Sequence, residues 1–196
     1  MGWLRRQWWY LTLPRTQPPA AAPPVSELSD DEQRRVRNVL ARFDTDDAAV
    51  RDECWKELPP DRLALPLLRE AFVRTRRMEA RISMVYAATF FARVSEDAFQ
   101  LGLLGLRDRS KHVRDRASGV LAYSLRRDAL PALRPLLRAE DEVTRNAAEG
   151  AVDAIKHQNH HLYWDQGWPQ GQTFWVVNRG DDPHLPEVGR DIDASS

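Results

Sequence analysis

Ser110-Lys111-His112-Val113-Arg114-Asp115-Arg116-Ala117 is the stretch whose reading decides the fold. The same order of residue types recurs on both sides of it. Upstream lie Val50-Arg51-Asp52-Glu53-Cys54 and Ala80-Arg81-Ile82-Ser83-Met84; downstream lies Thr144-Arg145-Asn146-Ala147-Ala148. The arginines are separated by 30, 33 and 31 residues. Three positions after each stands Cys54, Met84, Ala117 or Ala148, a small or flexible side chain that lets a neighbouring helix approach closely. Self-similarity at such a period marks a repeat architecture.

Between these segments run apolar stretches: Leu63-Ala64-Leu65-Pro66-Leu67-Leu68, Ala98-Phe99-Gln100-Leu101-Gly102-Leu103-Leu104 and Ala129-Leu130-Pro131-Ala132-Leu133. Pro66 and Pro131 fit a helix's first turn, where the missing N–H has no partner anyway. Asp61 and Asp128 precede them and are placed to cap. Pro135, further in, predicts a bend. Ahead of the repeats, Ser29-Asp30-Asp31-Glu32 reads as a capping box, followed by Val36, Leu40 and Phe43 on one helical face. Nothing in residues 26–157 alternates with period two, so the region is expected to be all-α. One helix pair cannot cover its own apolar face. Stacked neighbours can, with helix 29–43 closing one end.

The pattern resembles the HEAT-like repeats named for phycobilin lyases, whose core reads Asp-x-x-Val-Arg-x-x-Ala. Asp47-Ala48-Ala49-Val50-Arg51-Asp52-Glu53-Cys54 and Ser110–Ala117 match it best. Asp141-Glu142-Val143-Thr144-Arg145 carries one extra residue, and Ala80 replaces the valine before Arg81. The resemblance covers about residues 46–157. It implies an armadillo-like, right-handed α-solenoid of about four helix pairs. The role it implies is a non-enzymatic protein–protein interaction scaffold or adaptor, an immunity-type protein among the options. The concave face, lined by the second helices, would hold the partner. The shared residues are the structural ones, so lyase activity does not follow. The diiron hydroxylases of this fold need paired His-Glu dipeptides, and this chain has none.

The ends differ from the middle. Residues 1–25 hold Trp3, Trp8, Trp9 and Tyr10 with Arg5 and Arg6, then a linker with Pro14, Pro18, Pro19, Pro23 and Pro24. Residues 158–180 place Leu162-Tyr163-Trp164 and Thr173-Phe174-Trp175-Val176-Val177 around a turn-rich stretch. That composition predicts a β-hairpin capping the last helix pair. Residues 181–196 form an acidic tail expected to be disordered.

Lys+Arg and Asp+Glu balance at 29 each, which disfavours a dedicated nucleic-acid binder. The alternative keeps some footing in basic inter-helix stretches: Arg74, Arg76 and Arg77; Arg107, Arg109, Lys111, Arg114 and Arg116; Arg126 and Arg127. A lone cysteine, Cys54, builds neither a disulfide framework nor a cysteine zinc site and favours a reducing, cytoplasmic setting; a bacterial-looking adaptor is suggested by size and fold alone. No apolar run nears the ~20 residues a membrane helix needs. Gln7–Pro14 is too short and too aromatic for a signal-peptide core, and Arg6 breaks the myristoylation pattern. Peripheral membrane contact through Trp3, Trp8 and Trp9 remains open. His157, His160 and His161 with Asp165 supply a further alternative, a metal-dependent enzyme, although their spacing matches no known zinc site. GxSxG, P-loop, Rossmann and HExxH motifs are absent. No catalytic residue, metal or cofactor is therefore assigned. The partner-binding candidates are Arg81, Arg114, Arg145, Trp164 and Trp168. A structural role for the arginines, each reaching the preceding loop's carboxylate or a carbonyl in the next repeat, competes with that reading.

Overall fold

The structure, a computed structural model, describes residues 28–59 and 64–164. Those residues are all-helical, and no strand occurs among them. The helices are α1 (Asp30–Arg42), α2 (Ala48–Glu57), α3 (Leu65–Arg74), α4 (Met78–Thr89), α5 (Glu96–Gly105), α6 (Lys111–Ser124), α7 (Leu130–Leu133), α8 (Glu142–Lys156) and α9 (His161–Trp164).

Local chemistry explains where they start. The Ser29 hydroxyl accepts from the Glu32 N–H at 3.3 Å, and the Glu32 carboxylate accepts from the Ser29 N–H at 2.8 Å. That is the predicted capping box, with Asp30, Asp31 and Glu32 also favoured by the helix dipole. Asp47, Ser95 and Asp141 cap α2, α5 and α8 through a side-chain oxygen that accepts from first-turn N–H groups, without the reciprocal bond. Pro66 and Pro131 both fall in a first turn, as their chemistry requires. The expected aspartate cap of α7 is not formed. Its N-cap is Ala129, and Asp128, one residue earlier, turns its carboxylate to the Arg126 guanidinium (Nε–Oδ1 3.1 Å). For α3 the N-cap is Ala64 without a side-chain bond, and Asp61 lies outside the described residues. After Leu133 the chain tightens into a 3₁₀ segment, Arg134–Arg138, with Pro135 in its first turn.

The helices pack in two rows. In one, α1 touches α3 and α3 touches α5; in the other, α4 touches α6 and α6 touches α8. Across the rows α1 packs on α2, α3 on α4, α5 on α6 and α7 on α8. Each repeat arginine is the fourth residue of its helix: Arg51 in α2, Arg81 in α4, Arg114 in α6, Arg145 in α8. Cys54, Met84, Ala117 and Ala148, three positions later, are all fully buried. Their size matters. A Cβ on Gly105 would stand 2.7 Å from the Ala117 Cβ, so α5 and α6 meet nearly backbone to backbone. Phe43 and Trp55 close the first pair edge to face at 4.6 Å. The outer side of α8 carries exposed Asn146, Glu149, Asp153 and Lys156, a polar stripe on the last pair.

The C-terminal prediction needs correction in part. Leu162-Tyr163-Trp164 is a helical turn, not a strand. The Asn159 carboxamide accepts from the His161 N–H at 3.0 Å and starts that turn, and Tyr163 and Trp164 seat it on α6. Thr173–Val177, the other predicted strand, lies outside the described residues, as do residues 1–25 and 181–196. No described helix is long and apolar enough to cross a membrane.

Candidate functional site: the arginine ladder and its turns

The four repeat arginines do one thing in common. Each sends Nη1 back to the carbonyl six residues earlier: Arg51 to Thr45 (2.7 Å), Arg81 to Thr75 (3.3 Å), Arg114 to Asp108 (2.7 Å) and Arg145 to Ala139 (2.7 Å). Three of them also reach the carbonyl five residues earlier, on Arg76, Arg109 and Glu140. A long side chain at the fourth helical position thereby fastens the turn that precedes its helix. These carbonyls face no helical N–H, so the guanidinium satisfies them.

Two of the arginines also reach forward. Arg81 grips the Asp108 carboxylate with Nε (2.6 Å) and Nη2 (3.1 Å). Arg114 reaches Asp141 with Nη2 (2.8 Å) and the Thr144 hydroxyl with Nε (2.9 Å). In both cases the carboxylate stands 27 residues further on. The rungs therefore join one helix pair to the next. Arg81 and Asp108 are almost wholly buried, with side chains 6% and 7% exposed, whereas Arg114 and Asp141 are half-buried. Burial works against the charge on Asp141. The Thr144 hydroxyl and N–H and the Arg114 guanidinium outweigh it and hold the carboxyl at about 2. Asp108 also accepts from the Ser110 N–H at 2.8 Å, fixing the approach to α6.

Of the candidate partner-binding residues, Arg81 and Arg114 thus face their own turns and the next pair. Arg145 holds its own turn with Nη1, and its Nε and Nη2 meet no acceptor among the described residues. Trp164 stacks edge to face on Tyr163 (5.3 Å) and lies over Gly119 of α6, where an added Cβ would stand 3.1 Å from it. Trp168 is outside the described residues. Tyr163 donates its hydroxyl to the Asp115 carbonyl at 2.6 Å. Burial, then the Asp115 charge, pushes this phenol well above its usual range. Elsewhere, in α2, burial raises the Cys54 thiol, so it behaves as a core residue.

The histidines separate. His157 ends α8 as its C-cap, and Gln158 turns the chain at φ 54°. His160 sits fully buried edge-on to Tyr123 (5.1 Å), its Nδ1 3.1 Å from Arg93 Nη2. A guanidinium only donates, so Nδ1 is the acceptor in that contact. His161 lies 4.0 Å from His160, ring to ring. Among the described residues no group of three or more His, Cys, Asp and Glu is arranged to hold a metal ion. Asp165 lies outside them.

The basic stretches also resolve individually. Arg74 pairs with Glu70, Arg77 with Asp46, and Arg126 with Glu96 and Asp128 while covering Phe99 at 3.6 Å. Arg116 lies over Tyr86 at 5.7 Å. Arg76, Arg107 and Lys111 are exposed and form no ion pair among the described residues. Arg109 makes only a backbone contact, to the Arg76 carbonyl at 3.3 Å. Sequence reasoning found the arginine period but exchanged its acceptors: the preceding turn supplies carbonyls and the following turn supplies the carboxylate. Asp108 and Asp141 were visible only as neighbours of the next motif, because a 27-residue reach is a property of the stack rather than of the local sequence. Compared with known protein families and with characterised proteins, the sequence matches none.

Proposed function

We propose that the chain is a HEAT-like α-solenoid serving as a protein–protein interaction scaffold. The observation that supports this most is the ladder. Arg81 and Arg114 tie successive helix pairs through buried or half-buried carboxylates, so that neighbouring turns hold fixed positions. A partner docking on such a surface loses little to ordering the scaffold, which favours binding. In this reading the ladder arginines act from within and the partner meets the surface they hold in place. The test is affinity capture by the full chain from lysate treated with nuclease and chelator. A protein retained in fixed stoichiometry is the expected result. Recovery of nucleic acid alone from untreated lysate, or retention abolished by chelator, would overturn the reading.

A further inference from the structure

Four inter-helix turns lie in order along one edge. Asp44 of the first accepts from the Arg76 and Arg77 N–H groups of the second (2.9 and 2.7 Å). Arg109 of the third donates to the Arg76 carbonyl of the second. Arg114, beside the third, binds Asp141 of the fourth. Their charges are not uniform. The first turn carries Asp44, Asp46 and Asp47; the fourth carries Glu140, Asp141 and Glu142 against Arg138. The two between carry Arg76, Arg107, Arg109 and Lys111, all exposed and none in an ion pair among the described residues. Asp108, the carboxylate between Arg107 and Arg109, is buried against Arg81, while Glu79 in the first turn of α4 is exposed.

We infer that these two middle turns are a docking site for a short acidic segment of a protein partner. The proposal rests on the scaffold reading and names the partner's chemistry. Four cations without acidic partners within two adjacent turns attract a compact run of carboxylates. The acidic turns on either side set its length. A phosphate backbone tracking the edge in either direction would run into Asp46 and Asp47 or Glu140 and Glu142, whereas an isolated acidic block ends before it meets them. The flanking acids would in turn favour basic residues on both sides of that block. The Arg81 and Arg114 contacts hold the turns, so the spacing of the cations is set before binding.

The test uses the full chain and two fluorescent probes: a peptide with a central block of four glutamates flanked by lysines, and a single-stranded oligodeoxynucleotide of twenty residues. Anisotropy titrations are run at low and physiological salt. The expected result is saturable peptide binding, weakened about tenfold or more by Arg76→Ser/Arg107→Ser/Arg109→Ser/Lys111→Ser with unchanged circular dichroism. Glu140→Gln/Glu142→Gln should weaken the lysine-flanked peptide and strengthen the oligonucleotide. Tighter binding of the oligonucleotide than of the peptide by the native chain would assign the edge to nucleic acid and overturn the proposal. So would binding of neither probe, which would make the patch a solvated surface. If a captured protein partner stays bound to the quadruple variant, the site is wrong and the scaffold reading stands.

Discussion

Replacing Arg81 by methionine tests the ladder at its most buried rung. The substitution keeps much of the aliphatic volume and removes every donor. It leaves the Asp108 carboxylate, 7% exposed, with the Ser110 N–H as its remaining donor, and it strips the buried Thr75 carbonyl of its guanidinium. Removing one member of a buried ion pair costs about 3–5 kcal/mol, mostly because the other charge stays buried and uncompensated. Against a whole-domain stability of roughly 5–15 kcal/mol this is a large fraction. The decisive quantity is the coupling. If the uncompensated charge dominates, Arg81→Met/Asp108→Asn is more stable than Arg81→Met alone, and the double-mutant cycle gives an interaction of about 2 kcal/mol. Urea unfolding followed by far-ultraviolet circular dichroism supplies all four free energies. Should Arg81→Met fail to fold, Arg81→Lys, which keeps the charge and loses the planar fork, completes the cycle with Asp108→Asn. A coupling below about 0.5 kcal/mol would refute the reasoning, since it would mean that the two side chains contribute independently.

Two further outcomes follow from the same geometry. Asp141 titrates at about 2 in the folded chain, below its usual value of 3.8. A lowered carboxyl contributes stability above its unfolded value and loses it as pH falls from about 4 towards 2. The stability–pH curve of Asp141→Asn should therefore be flatter than that of the native chain in that window, as read by urea midpoints. Gly119→Ala places a Cβ 2.9 Å from Tyr163 and 3.1 Å from Trp164. Helix propensity alone would favour alanine by about 1 kcal/mol, but the two rings must move, so a net loss of about 1 kcal/mol is expected. In a Tyr163→Ala/Trp164→Ala background the sign should reverse, and an unchanged sign there would remove α9 from the explanation.

The common placement of the four arginines was legible because its determinants are local. An arginine at the fourth position of a helix, with a small residue one turn later, leaves the same imprint wherever it occurs, and α2, α4, α6 and α8 all carry it. Capping at Ser29 and the first-turn prolines were legible for the same reason. The α9 turn was not. Leu162-Tyr163-Trp164 has strand-like composition, and its helical form depends on Asn159 at its start and on contacts with Gly119 and Asp115 of α6, more than 40 residues earlier in the chain. The basic stretches were misleading in bulk. Their sequence clustering does not distinguish Arg126, held by Glu96 and Asp128, from Arg107, which has no acidic partner among the described residues.

The weakest repeat in the sequence shows how the ladder tolerates change. Arg81 lacks the preceding aspartate that caps α2 and α8, and Arg77, the N-cap of α4, makes no side-chain cap bond. Met78 also stands 27 residues after Arg51, where a carboxylate would continue the ladder. Both gaps fall at the same junction, and Asp44 bridges it. Its carboxylate accepts from the Arg76 and Arg77 N–H groups, fastening the turn before α4 to the turn of the previous pair. Elsewhere an arginine reaches forward to an aspartate; here an aspartate reaches forward to backbone donors. The charge runs the opposite way, yet the mechanical result, one turn fastened to the next, is the same. The feature common to the joints along this edge is thus a polar tie between successive turns. The residue that makes the tie can change, and a search for the arginine motif alone will undervalue the joint it misses.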